Sequence, residues 1–165
     1  MAEALELCAV WQYVECQFAL GPHSLHGPAH WRRVEANGLA VAAQSGADVC
    51  VVRLFAVLHD SRRLDEGIDD GHGQRGAELA AALRGDLFEL DEDAFGKLFY
   101  ACAWHEKGKV TAEPTIGACW DADRLDLPRV GARPQPRFMS TAHGRWLAEQ
   151  QGAAAFGYDH RRQAR

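Results

Sequence analysis

The sequence predicts an all-α protein, and three observations carry that prediction. Apolar residues recur at helical spacing in several segments, most clearly over 29–45. Residues that favour helix N-termini precede three such segments, at Asp48, Asp91 and Thr115. The segments are joined by short connections, as in helical bundles. Each expected helix can be justified in chain order.

The first three helices are expected over 4–19, 29–45 and 49–60. The second buries one face, and Gly38 on that face would let another backbone approach closely. This face consists of Trp31, Val34, Gly38 and Val41. The third segment is apolar almost throughout, and its valines make a buried parallel strand the alternative. Its length and its Leu-Phe-Ala-Val-Leu ending favour a buried helix.

Four more helices are expected over 74–84, 94–105, 116–127 and 140–150. Gly85 is a C-terminal stop for the first of these. The helix over 94–105 directs Phe95, Leu98, Phe99 and Cys102 inward. The stretches richest in turn-forming residues are 65–76 and 128–137.

Length and composition limit the classes of protein. A chain of 165 residues predicts one domain over 1–165, with a polar, frayed tail at about 158–165. A net charge of −5 argues against binding a nucleic acid polymer. The five cysteines include no CxxC pair, so we expect reduced thiols, mostly in the core, in a cytoplasmic protein. No signal peptide or membrane-spanning run is expected. The oligomeric state is left open.

Asp123 falls on the core-facing side of the helix over 116–127. It shares that face with Ile116, Cys119, Trp120 and Leu127. An ionised carboxylate there requires a cation or strong hydrogen-bond donors. Asp121 and Asp126 point elsewhere on this helix and are expected to be solvated.

Two histidines and a second aspartate occupy similar positions. His30 borders the buried face of the second helix, and His59 and Asp60 end the apolar third segment. With Asp123 they supply two imidazoles and two carboxylates near the interior. This donor set suits one divalent ion with open positions for water, such as Mn²⁺, Fe²⁺, Co²⁺, Ni²⁺ or Zn²⁺, with Mg²⁺ as a further option.

The order His30, His59-Asp60, Asp123 resembles the H…HD…D signature of the HD-domain superfamily of metal-dependent phosphohydrolases. The segments "HWRRV", "LFAVLHD" and "DADRLD" carry the resemblance, which spans about 26–131. It implies a single HD-domain-like helical bundle with the metal held between helices. It also implies that His30, His59, Asp60 and Asp123 are the metal ligands.

Three more histidines are candidates for the site. Some HD-domain proteins use extra histidines between the HD pair and the last aspartate, and His72 and His105 lie there. The resemblance implies that they hold a second metal, contact phosphate or act as a general acid. The alternatives are a loop histidine and a histidine favoured by a helix C-terminus. His26 is either next to a ligand or on the surface.

Arginines near the motifs are candidates for binding a phosphate. In similar guanosine-tetraphosphate hydrolases, acidic residues follow the HD pair, whereas this chain has Ser61, Arg62 and Arg63. This difference disfavours that activity and favours anion binding, because arginine can hold a phosphate with two hydrogen bonds. Arg124, beside the last ligand, is a third candidate.

The expected function is hydrolysis of a phosphate ester through a metal-bound water. The substrate would be a nucleotide or another small phosphorylated metabolite. The alternatives are a regulatory module that binds metal or nucleotide without turnover, a diiron oxygenase of the HD type, and an all-α interaction protein with incidental histidines.

Overall fold

The computed structural model describes residues 2–160, with side chains described over 7–151. The all-α prediction is confirmed, since residues 2–160 contain seven α-helices, two short 3₁₀ helices and no strand. The α-helices are α1 (Ala2–Gln17), α2 (Pro28–Ser45), α3 (Val49–Leu58), α4 (His72–Leu83), α5 (Glu92–Trp104), α6 (Pro114–Arg124) and α7 (Ala142–His160). The 3₁₀ helices are Leu127–Val130 and Pro136–Phe138.

The predicted N-terminal caps are correct for α3 and α5 and wrong for α6. Asp48 and Asp91 accept hydrogen bonds from backbone N–H groups in the first turns of α3 and α5. The cap of α6 is Glu113, because Pro114 is well suited to the first helical position and starts the helix earlier than expected. The Thr115 hydroxyl instead accepts from the backbone N–H of Asp48, at 3.1 Å, and so joins the starts of α3 and α6.

Several helix boundaries differ from the predicted ones. The apolar segment is a helix and not a strand, but it ends at Leu58, so His59 and Asp60 lie just beyond it. Helix α6 ends at Arg124, three residues before the expected end. Helix α7 continues to residue 160, through part of the predicted polar tail. Residues 161–165, the rest of that tail, lie outside the described residues.

Helix α3 lies at the centre of the bundle, packed against α2, α5 and α6, while α4 packs mainly against α5. Glycines allow the closest approaches. A Cβ added to Gly76 would lie 2.5 Å from the carbonyl oxygen of Leu58, and one added to Gly73 would lie 2.6 Å from that of Cys102. These two glycines bring α4 against the ends of α3 and α5. The side chain of Val52 packs against Gly38, and not a neighbouring backbone. The prediction that Gly38 allows a close backbone approach is therefore wrong.

The cysteines are less buried than expected. Cys102 and Cys119 are in the core, but Cys8 and Cys16 are exposed and Cys50 is intermediate, so the expectation that most are core residues is wrong. Helix α1 has one face on the solvent, which accounts for the two exposed thiols. No disulfide is present among the described residues. None of the described helices combines the length and apolar character needed to cross a membrane.

Candidate metal centre

The predicted ligands lie at helix ends that converge on one buried point. His30 is in the first turn of α2, His59 and Asp60 follow α3, and Asp123 is in the last turn of α6. The Nε2 atoms of His30 and His59 are 3.1 Å apart. Oδ1 of Asp123 lies 3.3 Å and 3.8 Å from these two nitrogens, in that order. Oδ2 of Asp60 lies 3.5 Å and 3.7 Å from them. The structure therefore brings all four predicted ligands together.

His72 and His105 form a second group beside the first. His72 begins α4, His105 follows α5, and their Nε2 atoms are 2.9 Å apart. Oδ1 of Asp60 lies 3.0 Å from Nε2 of His72 and 3.6 Å from Nε2 of His105. One oxygen of the Asp60 carboxylate thus faces each histidine pair. Both groups have side-chain donor atoms close enough together to hold a metal ion.

Hydrogen bonds fix which nitrogen of each imidazole faces the centre. In all four rings Nδ1 lies within 3.1 Å of an acceptor that has no hydrogen to give. Nδ1 of His30 faces Oδ2 of Asp126, and Nδ1 of His59 faces the carbonyl oxygen of Phe55. Nδ1 of His72 faces the carbonyl oxygen of Asp69, and Nδ1 of His105 faces that of Cys102. Each Nδ1 must therefore carry the hydrogen, and each neutral ring directs an Nε2 lone pair inward.

Such an arrangement fits a metal. Two Nε2 lone pairs that face each other at about 3 Å repel unless a cation lies between them. Four imidazoles and two carboxylates match the preference of divalent transition metals for mixed nitrogen and oxygen ligands. Asp60 has one carboxylate oxygen near each group and would contribute a ligand to each if both held an ion.

The protonation of the cluster follows from burial and from the carboxylates. Burial lowers the pKa of His59 to about 3, so this ring is neutral at physiological pH. Burial also acts against charging His30 and His105, but hydrogen bonds to nearby carboxylates outweigh it and raise both pKa values. The pKa of Asp60 lies well below its usual range, because the surrounding histidines outweigh its burial. The raised pKa values of His30 and His105 mean that protons compete with metal ions for these two rings.

Asp121 and Asp126 are buried, so the expectation that both are solvated is wrong. Asp126 accepts from Nδ1 of His30 at 2.7 Å and from Nε of Arg33 at 2.8 Å. Asp121 accepts from two backbone N–H groups and a hydroxyl at Ser140 and Thr141, just before α7. The error has two causes: α7 covers a face that the isolated helix leaves open, and α6 ends before residue 126.

Helical spacing gave no sign that Asp126 supports the site. Its carboxylate holds His30 with Nε2 toward the centre, which is the role that carboxylates play behind metal-bound histidines. His26 lies beside a ligand and not free on the surface, since its Nδ1 is 2.9 Å from Oδ2 of Asp60. The only sequence signal for His26 was its position one helical turn before His30.

The three predicted phosphate-binding arginines have different surroundings. Arg63 is buried, and its Nε lies 3.4 Å from Oδ1 of Asp60 without a hydrogen-bond partner. Arg62 donates to the side chain of Gln17, at the end of α1. Arg124 donates to the backbone carbonyl oxygens of three residues. These residues are Gly108, Lys109 and Phe138.

Two charged residues near the cluster had not been predicted. Arg129 has Nη1 3.8 Å from Oδ1 of Asp123. The carboxylate of Glu106 lies 3.4 Å from Nδ1 of His72 and 3.9 Å from Nη2 of Arg63. Glu106 directly follows His105, which was a usable signal. Arg129 lies in the 3₁₀ helix Leu127–Val130, within the stretch that the sequence marked only as rich in turn-forming residues, so α-helical spacing gave no direction for its side chain.

The helical bundle and its enclosed His/Asp cluster define a fold with a candidate metal centre between helix ends. A solved structure with a similar fold is the 1.45 Å crystal structure of a predicted HD superfamily hydrolase from an uncultured Thermotogales bacterium. The TM-score is 0.73 and the sequence identity is 24%, over 96% of this chain and 90% of that chain. No family model matches the sequence, and no curated protein matches it. The resemblance to HD-domain proteins is therefore confirmed in the fold, and the cluster is consistent with an HD-type metal site.

Proposed function

We propose that this chain is a metal-dependent phosphohydrolase of the HD type, which cleaves a phosphate ester of a nucleotide or another small phosphorylated metabolite. One observation carries the proposal: four imidazole Nε2 atoms converge on the buried carboxylate of Asp60. Maintaining such a cluster is costly unless cations occupy it. The fold similarity to a predicted HD superfamily hydrolase supports the same reaction class.

The residues divide into two ligand sets that share Asp60. His30, His59 and Asp123 complete the first set, and His72 and His105 complete the second. Mn²⁺, Fe²⁺, Co²⁺, Ni²⁺ and Zn²⁺ all suit these donors. When bound, such ions lower the pKa of a coordinated water and polarise a phosphoryl oxygen.

The arginines beside the cluster supply positive charge for a phosphoryl group. Arg63 is held by hydrogen bonds to the carbonyl oxygens of Asp65 and Gly67, which leaves its buried Nε directed at the centre. Arg129 approaches from the opposite side, next to Asp123. Arg62 and Arg124 remain candidates, but both would have to exchange their present hydrogen bonds for the phosphate.

His26 is the best-placed proton donor for the leaving oxygen. His72 and His105 are the predicted candidates for this role. In each ring, however, Nδ1 faces a backbone carbonyl oxygen and Nε2 faces the centre of the cluster. We therefore assign them to the second ion. His26 contacts Asp60 through Nδ1, and its side chain is 12% exposed, so its Nε2 could donate a proton to a leaving group that departs toward the solvent. In agreement with the net charge, we propose a small-molecule substrate, and because the described residues contain no disulfide we propose a cytoplasmic location.

Metal content and phosphate release, measured on the same untagged samples, test the proposal. Wild-type protein is expected to carry near-stoichiometric metal and to release phosphate from p-nitrophenyl phosphate with Mn²⁺. Asp123→Ala is expected to lose metal and activity together. His23→Ala, which changes an exposed histidine outside the cluster, is the matched control and should retain both.

Other outcomes separate the alternatives. Metal without phosphate release from a broad panel of phosphate esters would refute the hydrolase and favour a binding module. Oxygen consumption by the iron-loaded protein would favour an oxygenase, for which the shared carboxylate between two histidine pairs is the supporting observation. Wild-type protein that binds no supplied metal would exclude all three activities and leave an interaction protein.

A further inference from the structure

A pocket of about 430 Å³ opens beside the candidate metal centre, in the size range of small-molecule sites. Its lining residues are Glu106, Lys107, Gly108, Lys109, Arg124 and, from the irregular segment before α7, Leu127, Arg133, Gln135, Phe138 and Met139. We propose that this pocket binds a second anionic group of the substrate while the reacting phosphate lies at the metal centre. The inference rests on the proposed function, because it assigns the substrate's non-reacting part.

Two residues that line the pocket are sequence neighbours of residues in the cluster. Glu106 lines the pocket, follows His105 directly, and lies 3.4 Å from His72 through its carboxylate. Arg124 lines the pocket and follows Asp123 in α6. The Asp123 side chain is 19% exposed, whereas that of Asp60 is only 3% exposed, so the cluster is most open on the Asp123 side.

The charge of the pocket is opposite to that of the whole chain. Four cationic side chains line it, against one carboxylate, although the net charge of the protein is −5. The segment 127–148, five residues of which line the pocket, contains four arginines and no acidic residue; Arg133 is the arginine of this segment that lines the pocket. Clustered cations in a concave site raise the local concentration of anions and direct them inward.

The walls of the pocket are already held in place. The Arg124 guanidinium joins the carbonyl oxygens of Gly108 and Lys109 to that of Phe138, across the pocket. Gly108 packs so closely on the Trp120 ring that an added Cβ would overlap it. Arg124 thus acts mainly as a brace. Lys107 and Lys109 are exposed, and the one contact of the Lys107 ammonium, to the carbonyl oxygen of Asp70, is long at 3.5 Å, so a bound anion can replace it.

The apolar residues of the pocket indicate which chemical group of the substrate lies next to the anionic group. Leu127, Phe138 and Met139 are apolar, and Phe138 is half exposed. Apolar walls with a few convergent cations suit a small molecule that carries an anionic group beside an apolar or aromatic part. The expected substrate class is therefore a compound with two anionic groups, of which one is the phosphate that is cleaved.

Binding to metal-free protein tests the pocket independently of catalysis. Adenosine 3′,5′-bisphosphate is expected to bind about tenfold more tightly than adenosine 5′-monophosphate by calorimetry, since one charged hydrogen bond contributes about that factor. The double variant Lys107→Gln/Lys109→Gln is expected to lose this difference. Lys97→Gln, a lysine on α5 outside the pocket, is the matched control and should keep it.

Kinetics of the Mn²⁺-loaded protein complete the test. In the double variant, the ratio of kcat/KM for the bisphosphate to that for p-nitrophenyl phosphate should fall about tenfold, through KM. Equal binding of the two nucleotides to the wild type, or an unchanged difference in the double variant, would overturn the pocket assignment. Lysine-dependent binding in a protein that hydrolyses neither compound would refute the proposed function and leave the anion site standing.

Discussion

The substitution Asp126→Asn probes the support of the candidate metal centre without removing a proposed ligand. Asp126 accepts from His30 through one oxygen and from Arg33 through the other. Asparagine keeps the shape but replaces one oxygen with an NH₂ group. In either orientation of the amide, its NH₂ group faces the N–H of His30 or the N–H of Arg33. One of the two charge-assisted hydrogen bonds is therefore lost.

The size of the effect follows from that geometry. A hydrogen bond to a charged group contributes about 1.5–3 kcal/mol. Arg33 is half exposed and can bind water instead, whereas His30 is fully buried and cannot. The cost therefore falls on the orientation and basicity of His30. Substitutions behind metal-bound histidines reduce metal affinity by about 10–100-fold, and we expect a loss in this range.

The assay is competition for Mn²⁺ or Zn²⁺ against a chromophoric chelator. Asp121→Asn is the control, because Asp121 is also buried but its three hydrogen bonds go to residues before α7. We expect it to lower the free energy of unfolding and to leave metal affinity unchanged. Metal affinity of Asp126→Asn within twofold of wild type, or an equal loss in Asp121→Asn, would refute the reasoning.

Three further predictions follow from the packing and charge of the cluster. His72→Ala should reduce the metal content from two ions to one by elemental analysis, whereas Asp60→Asn should reduce binding at both positions; equal stoichiometry in the two variants would contradict a bridging Asp60. Gly76→Ala should lower the melting temperature, at a cost of about 1–3 kcal/mol, because its Cβ would meet the rigid carbonyl of Leu58 at 2.5 Å. An unchanged melting temperature would show that α4 is not held so closely. In metal-free protein, the pKa of His59 is lowered to about 3 from 6.5, so the unfolded chain binds a proton that the folded chain does not. Stability to urea should therefore fall as the pH decreases from 6.5 toward 3, and a flat profile would contradict a buried neutral imidazole.

The sequence was most informative where periodicity and local chemistry act within one element. The buried face of α2, the caps Asp48 and Asp91, and the apolar helix α3 all depend on neighbours a few residues apart. The end of α3 was predicted two residues too late. The H…HD…D order added the set of ligands, because the chemistry of metal binding restricts which residue types can serve. The position of His72 and His105 between the motifs suggested a second group, although not how it is arranged.

The supporting residues depend on contacts between elements distant in the sequence. Asp126 meets His30 across 96 residues, and Asp121 is buried only because the segment before α7 covers it. Helical spacing describes the direction of a side chain on its own helix, but it does not specify what lies opposite. The sequence by itself therefore determined the helices, their buried faces and the residue types that are proposed as ligands. The tertiary structure decided which oxygen of Asp60 faces which histidine pair, which acids are buried and which cations line the neighbouring pocket, because burial and electrostatics depend on distances between helices.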